Sequence, residues 1–435
     1  ENVVLSRAGS FGTFHRLTVV DYLADEVIDV AASETNVTKM EFAVPSQQQM
    51  MLFSSETQFA LNHRDVLSGG TVSLDVTTRY PMVPGVRPQP SGSDVYFASH
   101  ASGWGKLREY YVNEDALTND ATDVSSHVAN YVPFGIHTLA TSSEFDSVFV
   151  LTEGERDAIY VYRYHWVSDT EKAQSAWYKW KHGDPASQII AAKALGGYLY
   201  CLVARAITFS GPIVTNYETS LERIALFPAP VAHWTYNVHL DRRFVQHVDP
   251  SISIATNGAG NYEIALPYIV TVENRPGFKV VSKSGEVVPI LGWNGQARVI
   301  VATPPYDVVC GYGYTSTYTF SQQFPLNSRG EAVHTGRLQL KTFSVYFTDT
   351  QYFRAEVRPY GAKSTTVKSR EFPSNLGSVL NHGAIGSPQF ADGKATFAVE
   401  ANARECSISL VNDSHLGCTF HSAEWEGFYN NRARV

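Results

Sequence analysis

Asp146-Ser-Val-Phe-Val-Leu151 and Ile159-Tyr-Val-Tyr-Arg-Tyr-His-Trp166 flank a short loop containing Gly154, and this pair of apolar runs decides the fold. Three more such pairs lie along the first half of the chain: Gln49–Phe53 with Gln58–Leu61, Asp94–Ala98 with Leu107–Val112, and Gly197–Val203 with Leu221–Leu226. In chain order their starts are 45, 52 and 51 residues apart. Strand pairs that recur every ~40–50 residues are the mark of β-propeller blades, which bury their apolar faces by stacking on their neighbours. The chain therefore reads as mainly β, with β-propeller-like blades followed by antiparallel β-sandwich or platform-like modules.

Composition changes after Leu240. Upstream, strands end in Trp and Tyr clusters; downstream, longer hairpins carry more Val, Ile and Thr. A boundary near residue 240 divides a propeller-like region, 1–240, from a C-terminal platform or sandwich region, 241–435. In the second region Phe353, Ala355 and Val357 alternate with Arg354, Glu356 and Arg358, the pattern of a half-buried strand. The run Leu338–Phe347 precedes it, with Thr348-Asp-Thr350 as the expected turn. Asn257-Gly258, Ser284-Gly285, Asn294-Gly295 and Asp392-Gly393 read as hairpin turns, because glycine tolerates positive φ. The strongest hairpin joins Val287–Trp293 to Ala297–Ala302. Helical periodicity is scarce: Asp21–Ala32 is the candidate, with Leu23, Val27, Ile28 and Ala31 inward. Tyr80–Gly92, dense in Pro and Gly, reads as an exposed loop between blades.

The 435 residues are 44% apolar, with 24 Tyr and 23 Phe against 4 Met, a balance that favours aromatics packed on pleated faces. The net charge of −8 argues against tight, salt-driven capture of DNA, which needs a concentrated basic surface. Cys201, Cys310, Cys406 and Cys418 form no C-x-x-C pair and read as reduced structural thiols, with a Cys406–Cys418 bridge as the alternative. No run reaches the ~18 apolar residues of a membrane span, so no stable membrane insertion is expected. The chain opens Glu1-Asn2-Val3-Val4 with neither Met nor signal peptide, which suggests processing, cleavage or trimming. Asn36-Val-Thr38 and Asn412-Asp-Ser414 match the glycosylation sequon, which matters only in a secretory setting.

Three clusters could carry chemistry. His233, His239 and His247 have spacings that one long strand would place on a single face, as a metal site requires, but intervening Trp234, Asp241, Arg242 and Arg243 favour ordinary turn or surface histidines. Glu153, Glu155 and Asp157 share a loop. Two carboxylates suit glycosidase chemistry, yet a solvated hairpin tip accounts for the same residues, and no sialidase-type Ser-x-Asp-x-Gly-x-Thr-Trp box recurs in the blades. Trp177-Tyr-Lys-Trp-Lys-His182 could stack bases and hold phosphates; a blade-closing strand with Trp inward and Lys outward is the plainer reading. No phosphate loop, G-x-S-x-G elbow or H-E-x-x-H is present. No catalytic, cofactor-binding or metal-binding residue is assigned, and no cofactor is expected.

A family likeness runs through the chain in order. It is carried by Phe14-His-Arg-Leu-Thr-Val-Val-Asp-Tyr-Leu-Ala-Asp25, Phe53-Ser-Ser-Glu-Thr-Gln-Phe-Ala-Leu61 and Leu107-Arg-Glu-Tyr-Tyr111. His127-Val-Ala-Asn-Tyr-Val-Pro133, Val148–Thr152, Tyr160–Trp166 and Gln174-Ser-Ala-Trp-Tyr-Lys-Trp180 continue it, and Trp425-Glu-Gly-Phe-Tyr-Asn-Asn-Arg432 ends it. Together these runs resemble the tail tubular protein B, or nozzle, family of short-tailed phages such as T7. The resemblance implies a structural protein of the virion tail. It implies a homohexameric ring below the tail adaptor (tubular protein A), contact with tail fibre proteins, and a channel that retains genomic DNA and passes it during ejection. The resemblance also implies longer family chains with an N-terminal portion, which is expected to be absent here. Two other classes compete: a carbohydrate-active or glycan-binding tail component, and a cellular propeller scaffold.

Overall fold

The computed structural model describes residues 2–18, 23, 25–32, 39–46, 49–63, 67–113, 118–168, 172–184, 187–210, 213–227, 234, 236–248, 256–360, 367–372 and 390–431. The described residues are nearly all strand, with two short 3₁₀ turns at Ser126–Val128 and Val272–Gly277. Contacts divide the chain into two compact units: Glu1–Lys181 with Ala186–Phe227, and His182–Pro185 with Pro228–Val435. Residues 228–240, placed upstream by composition, fall in the second unit. Trp234, Tyr236, Val238 and Leu240 form a core there with Val281 and Val309. An aromatic cluster reads alike at a blade end and at the start of a new module; only its packing partners tell the two apart.

The first unit opens with a ribbon of β1 (Asn2–Leu5) and β2 (Ile28–Ala31). Four antiparallel meanders follow. The first is β3 (Met40–Ser46), β4 (Gln49–Ser54), β5 (Gln58–His63) and β6 (Val72–Thr78). The second is β7 (Gln89–Ser91), β8 (Asp94–Ala101), β9 (Trp104–Asn113) and β10 (Thr118–Asp123). The third is β11 (Ile136–Ser142), β12 (Ser147–Thr152), β13 (Ala158–Trp166) and β14 (Lys172–Lys181). The last has three described strands, β15 (Ser187–Leu195), β16 (Tyr198–Ser210) and β17 (Ile213–Ala225). All four expected pairs are present, as β4–β5, β8–β9, β12–β13 and β16–β17.

Each inner meander buries both faces, which is why its central strands are apolar without a break. Along β12, Val148 and Val150 enter a core shared with Tyr96, Ala98 and Leu107 of the second meander. The alternate residues Phe149 and Leu151 enter a core shared with Leu199, Cys201 and Val203 of the fourth. Likewise Val95 and Phe97 meet Met51 and Phe53 of the first meander. Period-2 geometry sends successive side chains to opposite faces, so a continuous apolar run marks a sheet sandwiched between two others.

The second unit begins with β18 (Asp241–His247), β19 (Tyr262–Ala265), β20 (Phe278–Ser282), β21 (Ile290–Trp293), β22 (Arg298–Val301) and β23 (Asp307–Tyr312). They form two three-stranded sheets, β18-β23-β20 and β19-β22-β21, around a core that includes Ile264, Val280, Val299 and Cys310. Next come β24 (Ser316–Thr319), β25 (Arg337–Thr350), β26 (Phe353–Pro359), β27 (Lys368–Phe372), β28 (Ala391–Asn402), β29 (Cys406–Asn412) and β30 (Thr419–Asn430). Sheets β24-β29-β26-β27 and β28-β25-β30 enclose a larger core. In β25 the inward positions are Leu338 and Leu340, then Phe343, Val345 and Phe347; a bulge between Leu340 and Thr342 changes the parity and keeps apolar residues on the core side. Opposite it, Gly427 leaves no room for a side chain, because a Cβ there would lie 2.6 Å from the Gln339 carbonyl oxygen.

Several local expectations change. Ile28–Ala31, expected as helix, pairs as a strand with β1, where Val3, Leu5 and Val30 pack on the first meander; residues 19–22 and 24 lie outside the described set. Tyr80–Gly92 is not wholly exposed: Met82, Val83 and Val86 enter two inter-sheet cores, and Gln89–Ser91 is β7. Asp392-Gly393 lies inside β28 rather than at a turn, opposite Phe347. Positive φ falls on Gly260 rather than Gly258 in the Asn257 turn, while Gly285 and Gly295 adopt it as expected. Thr348-Asp-Thr350 belongs to the end of β25, from which the chain crosses to the opposite sheet instead of folding into a hairpin. All four cysteines are free, so Cys406 and Cys418 form no bridge. Of the sequons, residues 36–38 are outside the described set; Asn412 is buried and donates to the Leu416 carbonyl at 2.7 Å.

Phe53 is fully buried between the first two meanders, 5.5 Å from Phe97 and 6.3 Å from Tyr110 between ring centroids. Phe53→Ala should cost about 3–5 kcal/mol in chemical denaturation, as truncation of a packed core aromatic does.

Candidate functional site

The three loop carboxylates sit between β12 and β13, where the chain reverses. Each meets a cation. Glu153 pairs with Arg156, and Asp157 lies 3.1 Å from Lys181. Glu155 accepts from the Tyr160 hydroxyl and from Lys179 at 3.0 Å, with Lys181 at 3.5 Å. Burial pushes the Glu155 carboxyl up, but the Tyr160 and Lys179 hydrogen bonds and the two lysine charges outweigh it and hold its pKa below the ordinary value. This carboxylate is kept ionised, the opposite of what a general acid needs.

The same contacts explain Trp177–His182. Residues 172–181 form β14, the edge strand of the third meander. The expected split of Trp inward and Lys outward holds in burial, with Trp177 and Trp180 half-buried against cores and Lys179 and Lys181 exposed, although alternation puts Trp177 on the face that carries the lysines. Trp177 stacks near Tyr162 (5.2 Å) and donates its indole N–H to the Val124 carbonyl at 2.9 Å. Trp180 belongs to the opposite face, against Phe149 at 5.7 Å. Both tryptophans are committed to neighbouring sheets, and both lysines to Glu155 and Asp157.

The two described histidines of the trio, His239 and His247, have separate partners. His239 stacks on Tyr314 at 6.4 Å, and burial, with Arg243 and His415 nearby, pushes its pKa down. His247 is hydrogen-bonded to Asp307. His233 lies outside the described residues. Among the described residues no group of three or more His, Cys, Asp or Glu side chains is placed to hold a metal ion.

One cluster that the sequence did not single out is an ion pair set between two meanders. Glu109 of β9 and Lys172 of β14 form an ion pair between the second and third meanders, with side chains 6% and 16% exposed. Lys172 Nζ lies 2.5 and 2.7 Å from the carboxylate oxygens and 3.2 Å from the Tyr162 hydroxyl. Tyr96 donates to the same carboxylate, and its ring stacks on Tyr164 at 5.8 Å. Lys172 also sits 4.6 Å from the Trp166 ring centroid. Burial lowers the Lys172 pKa, but Glu109 and Tyr162 more than reverse this and keep it charged. Nearby, burial first and the Glu109 charge second push Asp94 up to about 6.

A family model described as the bacteriophage nozzle protein matches residues 1–435. The chain belongs to the bacteriophage nozzle protein family. It is also 25% identical, over 448 aligned residues, to "Tail tubular protein gp12" of Escherichia phage T7; the match covers 100% of this chain and 54% of that protein. The chain thus spans about half the length of the curated relative it matches. Two solved structures of a GH32 β-fructofuranosidase from Bombyx mori align with 86% and 87% of the chain, and with 90% and 91% of their own chains, at 11% and 10% identity. Their TM-scores of 0.19 and 0.20 are too low to carry an argument about this nozzle-family chain.

Two outcomes follow for the inter-sheet pair. Glu109→Ala should destabilise by about 3–5 kcal/mol in urea titration, because it strands a buried ammonium; joint replacement of Glu109 and Lys172 by methionine should cost far less. Asp94 carries a folded pKa above its unfolded one, so it lowers stability as pH rises from about 4 through about 6. Asp94→Asn should therefore raise the melting temperature at pH 8, by roughly 1–2 kcal/mol of stability after allowing for solvent screening, with the gain vanishing below about pH 4.

Proposed function

We propose that this chain is a structural part of a phage tail nozzle: a subunit of a ring, homohexameric in the assembled tail, whose channel retains the genome and passes DNA at ejection. The observation that carries the reading is the nozzle-family match over residues 1–435, seconded by the T7 tail tubular protein. The adaptor ring and the fibre proteins are the partners it implies. In this reading the chain is not an enzyme, and it works in the virion tail.

The charge arrangement supports a conduit. Each Lys or Arg that neutralises a phosphate adds affinity and slows passage. Here the Trp-Lys strand that most resembles a nucleic-acid grip has its lysines bound to Glu155 and Asp157, and the chain carries a net −8. Sheets that bury both faces also give a stiff wall, since the unit cannot flex without opening several cores together.

Purified virions labelled with antibody to the exposed β30 strand, Thr419–Asn430, test the assignment. Label confined to the tail, with sixfold symmetry in a tail reconstruction, is the expected result; virions lacking the protein would sink it. The isolated chain should bind duplex DNA more weakly than about 0.1 mM at physiological salt, the weak end of non-specific binders. Lys179→Ala should leave that binding unchanged in a titration followed by anisotropy.

A further inference from the structure

The larger sandwich of the second unit gapes along one side. Edge strands β24 and β30, which belong to opposite sheets, border a cavity of about 460 Å³, within the ~300–1,000 Å³ range of binding clefts. Tyr318, Phe320, Val345, Leu410, Phe420 and Ala423 supply its apolar walls. Among the described residues no Asp, Glu, Lys or Arg lines it, and Ser316, Asn412, His421 and Ser422 are its polar side chains.

The backbone beside this cavity has spare hydrogen-bonding capacity. Among the described residues β24 pairs on one side only, with β29. The Phe320 N–H donates to the Ile408 carbonyl at 2.9 Å, and Tyr318 sits opposite Leu410. Antiparallel alternation therefore turns the N–H and C=O groups of Thr317 and Thr319 away from β29, toward the open edge. Natural edges are usually blunted by charge, proline or a bulge. Ser316-Thr-Tyr-Thr319 carries neither charge nor proline, its register with β29 is regular, and all four residues are exposed.

We propose that β24 is a strand-addition site for an extended, uncharged segment of a different polypeptide chain. The segment pairs with the outward backbone groups of Thr317 and Thr319, and one bulky apolar side chain drops between Tyr318 and Phe420 into the cavity. Main-chain bonds would give affinity and the cavity would select the side chain, the division of labour in β-augmentation. Charge complementarity favours a neutral strand: among the described lining residues no Asp, Glu, Lys or Arg stands ready to pair with an ionised side chain entering this cavity. The site stands on the geometry of the second unit alone and does not rest on the tail reading.

The test uses the full chain and a fluorescein-labelled heptapeptide that alternates threonine with valine around a central phenylalanine. Saturable anisotropy is expected, weakened at least tenfold by Thr317→Pro, which removes an outward N–H, and by Ala423→Trp, which fills the cavity. The same peptide with alternate amides N-methylated should not bind. That comparison uses the unaltered protein, so it decides the matter even where a variant fails to fold. Absence of saturable binding, or equal binding of the methylated peptide, would overturn strand addition. Concentration-dependent self-association lost in Thr317→Pro would overturn the choice of occupant, showing a second copy on the edge instead.

Discussion

Everything in the first unit depends on burying both faces of each inner sheet. A meander such as β11–β14 has no polar face to turn to water, so it is stable only with a sheet on either side. Val148 and Val150 look to one neighbour while Phe149 and Leu151 look to the other. The strand ladders stay within each meander, and the cores between meanders are apolar, with few backbone bonds across, such as Ile189 N–H to the Arg156 carbonyl at 2.7 Å. Cohesion is therefore distributed over a row of cores. A loss in one core is felt by the two sheets that share it.

Against that background, Glu109 and Lys172 are an exception that needs a physical account. A buried ion pair gains little over apolar packing of the same shape, but breaking it is costly. What it adds is selectivity of position: Tyr96 and Lys172 both donate to one carboxylate, and Lys172 donates in turn to the Tyr162 hydroxyl, a set of bonds that sliding the two sheets would break. Apolar faces tolerate sliding; a fully partnered charge does not. The pair thus fixes register where the valines and leucines supply cohesion.

The second unit solves a different problem. In its larger sandwich β26 buries one face only, so its residues alternate, as Phe353–Pro359 shows, and its outward positions carry paired charges such as Arg354 with Asp413 at 2.7 Å. Parity must then be kept along long strands. The β25 bulge keeps it, and Gly427 allows β30 to follow closely. Among the described residues, the side bordered by β24 and β30 is where this sandwich leaves an unpaired strand edge beside an apolar cavity.

Sequence alone was enough for the strand pairs of the first unit and for the family, because both are written in local runs: two apolar stretches at a fixed interval, and ordered segments such as Trp177-Tyr-Lys-Trp180. It also showed that Glu153, Glu155 and Asp157 share a loop. It could not show what those residues meet. The lysine partners of Glu155 lie on β14, two dozen residues away, and Lys172 reaches Glu109 only because two meanders stack. Ile28–Ala31 is strand because β1 offers it a partner, and Asp392-Gly393 is strand because β25 runs beside it. Local propensity is a matter of one residue and its neighbours in the chain, whereas pairing, burial and charge compensation belong to residues that only the fold brings together.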